Sequence, residues 1–168
     1  MIAILLYLQP NILVMKNLLS VLKINVPDKI FIKDPETSEL GKKIIENSIY
    51  LIDEVGFESF TFKKLGLKIG SNESSIYRYF ESKHKLLLYL TSWYWAWLEY
   101  QLVIETFSIS DAKEKLEKAI LIVTRTVEED TNFSHINETI LYKIIVNEKN
   151  ILDRNVIWLF NFSCCSNQ

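Results

Sequence analysis

From residue 34 onward, apolar side chains recur every three to four positions, the period of helices that bury one face. Asp34 can cap the first helix, Pro35 suits its first position, and Glu36 and Glu39 suit the positive end of its dipole. Leu40, Ile44, Ser48, Leu51, Ile52 and Val55 form its stripe, and Gly56 follows where a left-handed residue is favoured. Thr61 caps a second, short helix, with Phe60 and Leu65 placed as a hydrophobic staple, and Ile69-Gly70 ends it. Asn72 caps a third, in which Ile76 and Phe80 share one face and Ser74, Tyr77 and Arg78 the other. Ser82 opens a fourth that reaches about Phe107. Two short helices joined by a glycine-containing turn inside a three-helix unit predict a helix-turn-helix, and no strand pattern competes.

Beyond it the pattern stays helical. Trp93, Trp97 and Tyr100 lie on one side of the fourth helix and Trp95, Leu98 and Leu102 on another, which predicts burial on both sides. The three rings of the first set also form a candidate box for a small apolar ligand, although core packing is the commoner use of such rings. Asp111 with Glu114 opens a fifth helix whose expected buried stripe is Leu116, Ala119, Ile120, Val123 and Val127, with fraying expected at Glu128-Glu129-Asp130. Ser134 opens a sixth through Val146, and an apolar run from Ile151 to Phe162 makes a seventh. The reading is all-α: an extension at 1–33, a helix-turn-helix domain at 34–86, and a helical region at 87–168 that reads as incomplete.

Residues 15–33 read as a loose arm. The apolar residues before Met15 lack a basic start and a cleavage site, and their run is broken by Pro10. They are also shorter than the roughly 20 residues a membrane span needs, so translation is expected to start at Met15 and no membrane association is expected. Cys164 and Cys165 are adjacent and cannot staple distant segments, which points to a reducing, cytoplasmic setting.

Charge changes the picture more than composition does. The chain is acidic overall, at −2, yet Thr61 to Lys85 holds Lys63, Lys64, Lys68, Arg78, Lys83 and Lys85 against only Glu73 and Glu81. Local sign governs attraction to a polyanion. The Asn72 end of the third helix offers free N–H groups and a positive dipole to a phosphate. Ser74, Tyr77 and Arg78 can hydrogen-bond bases and phosphates, as can Thr61, Lys63 and Lys83 at neighbouring helix starts.

The stretch from Thr61 to Leu86, with its core Ile-Tyr-x-Tyr-Phe-x-x-Lys-x-x-Leu, resembles without a gap the DNA-binding signature of TetR/AcrR-type transcriptional regulators. Ile45 to Phe57 is similar to that family's first helix. The resemblance implies a homodimer on double-stranded DNA, with a C-terminal helical domain for dimerisation and ligand binding. It implies a repressor relieved by a small molecule. By its positions, Thr61, Ser75, Tyr77, Tyr79 and Lys83 meet phosphates, while Glu73, Ser74 and Arg78 fall where bases are read. Tyr79 lies between the two helix faces, a place open to half burial as well as to a phosphate.

Three residues depart from the family's habit. Gly66 stands where alanine is usual, Ser71 where a small apolar residue is usual, and Glu73 where a basic or polar one is frequent. Glu73 either favours the helix dipole as a bystander or accepts from cytosine N4. The C-terminal region is short of the two long helices the family usually buries in its dimer interface. Val156 to Phe162 is then a substitute interface or the end of a truncated chain.

Catalysis is not expected. His84 and His135 are far apart, with no ligand spacing around them for a metal, and no phosphate-binding glycine loop occurs, so no cofactor is implied. The alternative to a DNA-binding regulator is a truncated helical binding module without competent dimeric DNA binding.

Overall fold

The computed structural model describes residues 24–127 and 133–147. Met15 and the segment before it, Glu128-Glu129-Asp130, and the run 151–162 lie outside these. Among the described residues there are six α-helices and no strand: α1 Glu39–Val55, α2 Phe62–Ile69, α3 Glu73–Tyr77, α4 Lys83–Thr106, α5 Ala112–Thr124 and α6 Glu138–Asn147. Helices α1 to α3 make the three-helix unit. Helix α4 leaves it, α5 packs on α4, and α6 packs on both α1 and α4.

The caps follow the sequence closely. Thr61 accepts from Lys64 N–H at 3.2 Å, Ser82 from Lys85 N–H at 3.2 Å, and Asp111 from Glu114 N–H at 2.8 Å. Two helix starts differ from expectation, and the third and fifth helices end earlier than expected, at Tyr77 and Thr124. Asp34 does cap, accepting from Glu36 N–H, but it starts a separate 3-10 turn, Pro35–Thr37. Helix α1 begins only after Ser38, whose hydroxyl accepts from Gly41 N–H at 3.1 Å. Asn137 rather than Ser134 caps α6, accepting from Ile140 N–H at 2.8 Å.

One core runs through the molecule. Ile44, Ile45 and Ile49 of α1 meet Phe60, Leu65, Ile76, Phe80 and Leu86, and the same cluster continues through Tyr89, Leu90 and Trp93 to Leu141 and Ile144. Each such side chain removed from water contributes about 1.5–3 kcal/mol. The arm is part of this core from Ile24 on, not loose as its composition suggests: Ile24, Val26 and Ile30 are buried in it.

The stripe on α5 is a larger correction. Leu116, Ile120 and Val123 were expected inward, yet they are 62%, 53% and 55% exposed, and Ile122 alone is buried. Beside Ile122, the helix meets α4 through charge, with Glu105 of α4 taking Lys118 at 3.1 Å and Arg125 at 2.7 Å. The second side of α4 is likewise only partly covered, for Trp95 is exposed and Leu98 and Leu102 are half-buried.

Close approach explains Gly66. A Cβ there would sit 2.8 Å from the Ser71 carbonyl oxygen, and Ser71 N–H donates to the Gly66 carbonyl at 2.9 Å. Helix propensity alone says Gly66→Ala gains about 1 kcal/mol. The backbone clash opposes this with an overpacking cost of about 1–3 kcal/mol. We therefore expect the substitution to lower the thermal midpoint, and a rise would show that the turn yields freely.

Glu105 gives a pH expectation. Burial works to raise its carboxyl, but hydrogen bonds from Lys118 and Arg125 outweigh that and hold it below the usual carboxylate range. A depressed folded pKa means stability present at neutral pH and lost as pH falls through that value. Melting curves taken from neutral into acid should converge for the wild type and Glu105→Gln, because the variant has no such contribution to lose.

Candidate nucleic-acid interface

The turn into α3 is built by two residues in sequence. Gly70, at φ 66° and ψ 34°, takes the left-handed conformation that ends α2. Asn72, in extended conformation, then caps α3, its Oδ1 accepting from Ser75 N–H at 2.9 Å and from the Ser74 hydroxyl at 2.9 Å. The Ser75 hydroxyl donates to the same oxygen. The Asn72 side chain is therefore committed to the start of the helix.

Burial sets which residues face out. Ile76 and Phe80 are fully buried, so Ser74, Tyr77 and Arg78 stay exposed, Tyr77 by 47%. The Tyr77 ring stands edge-on to Phe62 with centroids 5.0 Å apart, and Phe62 stands edge-on to Phe60 in the core. Its hydroxyl donates to Glu73 Oε1 at 3.3 Å, one helical turn back. Glu73 thus has a local task in orienting Tyr77.

The cations divide into three groups. Lys64 donates to the Ser59 carbonyl, Lys85 to the Lys29 carbonyl, and Lys83 to the Phe57 and Glu58 carbonyls at 3.1 Å each. Lys83 also lies 4.7 Å from the centre of the Phe57 ring. Such contacts orient an ammonium without cancelling its charge. Among the described residues, Lys68 alone of this stretch is neutralised, by Glu54 at 3.1 Å. Lys63 and Arg78 are exposed, and no described side chain pairs with either. Thr61 is exposed at the start of α2, its hydroxyl used as the cap.

Tyr79 is the clear correction. Expected at a phosphate, it is only 3% exposed, and its hydroxyl shares a 2.8 Å hydrogen bond with Ser38 Oγ. The arm covers it, which no pattern in the 61–86 stretch could reveal. Lys83, also expected at a phosphate, has two of its three donors engaged with carbonyls. Trp93 and Trp97, the weaker ligand candidates, are buried; Trp93 stands edge-on to Phe133 at 5.2 Å and Trp97 packs on Tyr94 at 5.7 Å. Their rings serve the core here, and Tyr100 is half-buried. Burial, with the nearby Tyr142, pushes the Tyr94 hydroxyl up to about 12.

Comparison with known families meets this geometry directly. Residues 44–90, from the middle of α1 into α4, match the family described as bacterial regulatory proteins, tetR family. This stretch is a tetR-family helix-turn-helix domain. The match spans well under half of the chain, so it speaks for the tetR-type domain and its place in a family of DNA-binding transcriptional regulators. No curated protein and no solved structure matches the chain. Within the tetR-type domain, Glu73 and Phe62 shape the outward face, and Ser38, just before it, holds the buried Tyr79; spacing reveals the first of these, and neither of the others.

Among the described residues no three His, Cys, Asp or Glu side chains converge as a metal site, and no helix is long and apolar enough to cross a membrane.

For Tyr79, replacement by Phe leaves the ring in place and removes one partly buried hydrogen bond. Urea unfolding should show a loss of about 1 kcal/mol, within the usual range for such a bond. The salt dependence of DNA binding should not change; a shallower slope would put Tyr79 back on the binding face.

Proposed function

We propose that the chain is a sequence-specific DNA-binding transcriptional regulator: a cytoplasmic repressor that acts as a homodimer and is relieved by a small apolar ligand. The observation that carries it is the outward set Ser74, Tyr77 and Arg78 on a capped helix whose back is fully buried, with Lys63 exposed and unpaired nearby. Arg78 offers a guanidinium fork, which suits guanine O6 and N7 in the major groove. Thr61, Lys63, Ser75, Tyr77 and Lys83 act as the phosphate-side set, placing α3 without reading sequence. Glu73 is a bystander to the bases, because its carboxylate accepts from Tyr77.

A homodimer would set two α3 helices in successive major grooves, about 34 Å apart. Apolar side chains left outside support a partner surface: Val103 and Phe107 near the end of α4, with Leu116, Ile120 and Val123 on α5, are all more than half exposed. The same surface favours the second reading, a helical binding module that acts on another protein without DNA. Release by a ligand would work by shifting α4, which joins the tetR-type domain to the helices beyond it.

A duplex sequence selected from random DNA provides the test, read by fluorescence anisotropy across salt concentrations. Lys63→Ala should make the log–log slope shallower by about 0.9, one phosphate contact's share. Ser74→Ala and Arg78→Ala should relax preference at individual base pairs by about 1–3 kcal/mol. If neither slope nor preference moves in any of the three variants, the chain does not read DNA with this face and the binding-module reading takes its place.

A further inference from the structure

Tyr79 lies two residues past the end of α3, and one short stretch, residues 32–38, holds it at three points. Its carbonyl accepts from Ile32 N–H at 2.8 Å, its hydroxyl bonds Ser38 Oγ at 2.8 Å, and the Lys33 ammonium lies 5.2 Å from its ring centre. Between Ile32 and Ser38 lies the 3-10 turn Pro35–Thr37, seated hard on α1. A Cβ at Gly41 would come within 2.1 Å of the Pro35 carbonyl oxygen, so only glycine allows this seating. The middle residue of the turn reaches the other way. Glu36 Oε1 lies 2.9 Å from His135 Nε2, 99 residues along the chain, just before α6.

Both partners are mostly covered, each with a side chain 17% exposed. Tyr89 of α4 stands behind them, its hydroxyl a loose 3.4 Å from the same oxygen, and burial with the charges of Glu36 and Asp34 drives that hydroxyl's pKa upward. A carboxylate only accepts, so the His135 proton must sit on Nε2, and the bond holds whether or not the ring is charged. Such charge-assisted bonds in a covered site are the stronger kind.

We propose that Glu36 and His135 are positioning residues for the recognition helix: the pair seats the Pro35–Thr37 turn, and the turn, through Ile32 and Ser38, fixes Tyr79 and with it the set of α3. This gives the helices beyond α4 a physical route to the DNA-facing side chains that does not pass along α4. A contiguous chain of contacts of this kind can carry coupling between distant sites. Its consequence for DNA rests on the function proposed above, but its existence can be tested without DNA.

Hydrogen exchange on the full chain reads it. The amides of Tyr79 and Phe80, both donating to the Ile76 carbonyl, report on the end of α3, and the Leu65 amide, donating to the Thr61 carbonyl, is the internal reference. His135→Ala should speed exchange at Tyr79 and Phe80 by about tenfold while leaving Leu65 unchanged. His135→Gln, whose amide nitrogen can take the place of Nε2, should stay within about twofold of the wild type. Faster exchange confined to residues 133–140 would overturn the inference, as would an equal rise at Leu65, which marks general destabilisation. Should His135→Ala fail to fold, Glu36→Ala, which removes the accepting oxygen, is read at the same amides against the same expectations. With the selected duplex as probe, His135→Ala should also weaken binding; unchanged binding there, beside a clear loss in Arg78→Ala, would sink this inference and leave the DNA reading standing.

Discussion

A helix of five residues cannot hold itself together, and α3 is such a helix. Its existence depends on what is buried behind it. Ile76 and Phe80 sit at zero exposure, Tyr79 is covered by the arm, and Asn72 satisfies the first turn. Everything about the outward face follows from those inward anchors, because the period of the helix leaves Ser74, Tyr77 and Arg78 with nowhere else to point. The neighbouring aromatic rings extend the same logic: Phe60 supports Phe62, and Phe62 supports Tyr77. A surface able to meet a rigid ligand such as duplex DNA needs this kind of support from below.

Electrostatics adds reach to that shape. The chain is acidic as a whole, yet its positive residues gather between Thr61 and Lys85. The structure spends several of those lysines on carbonyl oxygens, which at first sight removes them from any partner. A carbonyl is a dipole and leaves the unit charge in place, so the field above the domain keeps its sign. Among the described residues, the pairing of Lys68 with Glu54 is the one ion pair that subtracts from this group. The same contacts tie helix starts to the turn after α1 and to the arm, so the groups that attract a polyanion also brace the scaffold.

Local chemistry made much of this visible in advance. The caps at Thr61, Asn72, Ser82 and Asp111 and the glycine stops at Gly56 and Gly70 depend on residues within one turn of each other, and all stand where the pattern placed them. What escaped was long-range. Tyr79 is buried by Ser38, 41 residues away, and Glu36 meets His135 across 99. The α5 stripe has a helical period, but period alone cannot say which side finds a partner; Ile122 faces in, on the same side as Lys118 and Arg125, which pair with Glu105. Gly66 looked like a weak point in a short helix until the Ser71 carbonyl proved to lie where a side chain would be.

The side chains around α3 must be the ones that meet DNA if the chain works as proposed. Titrating a selected duplex into isotope-labelled protein and following backbone amide shifts by NMR tests this most directly. Shifts concentrated at Thr61 to Lys63 and at Asn72 to Arg78, with the exposed side of α5 silent, are what the account predicts. Shifts centred on α5, or none around α3 at duplex concentrations that saturate binding, would contradict it.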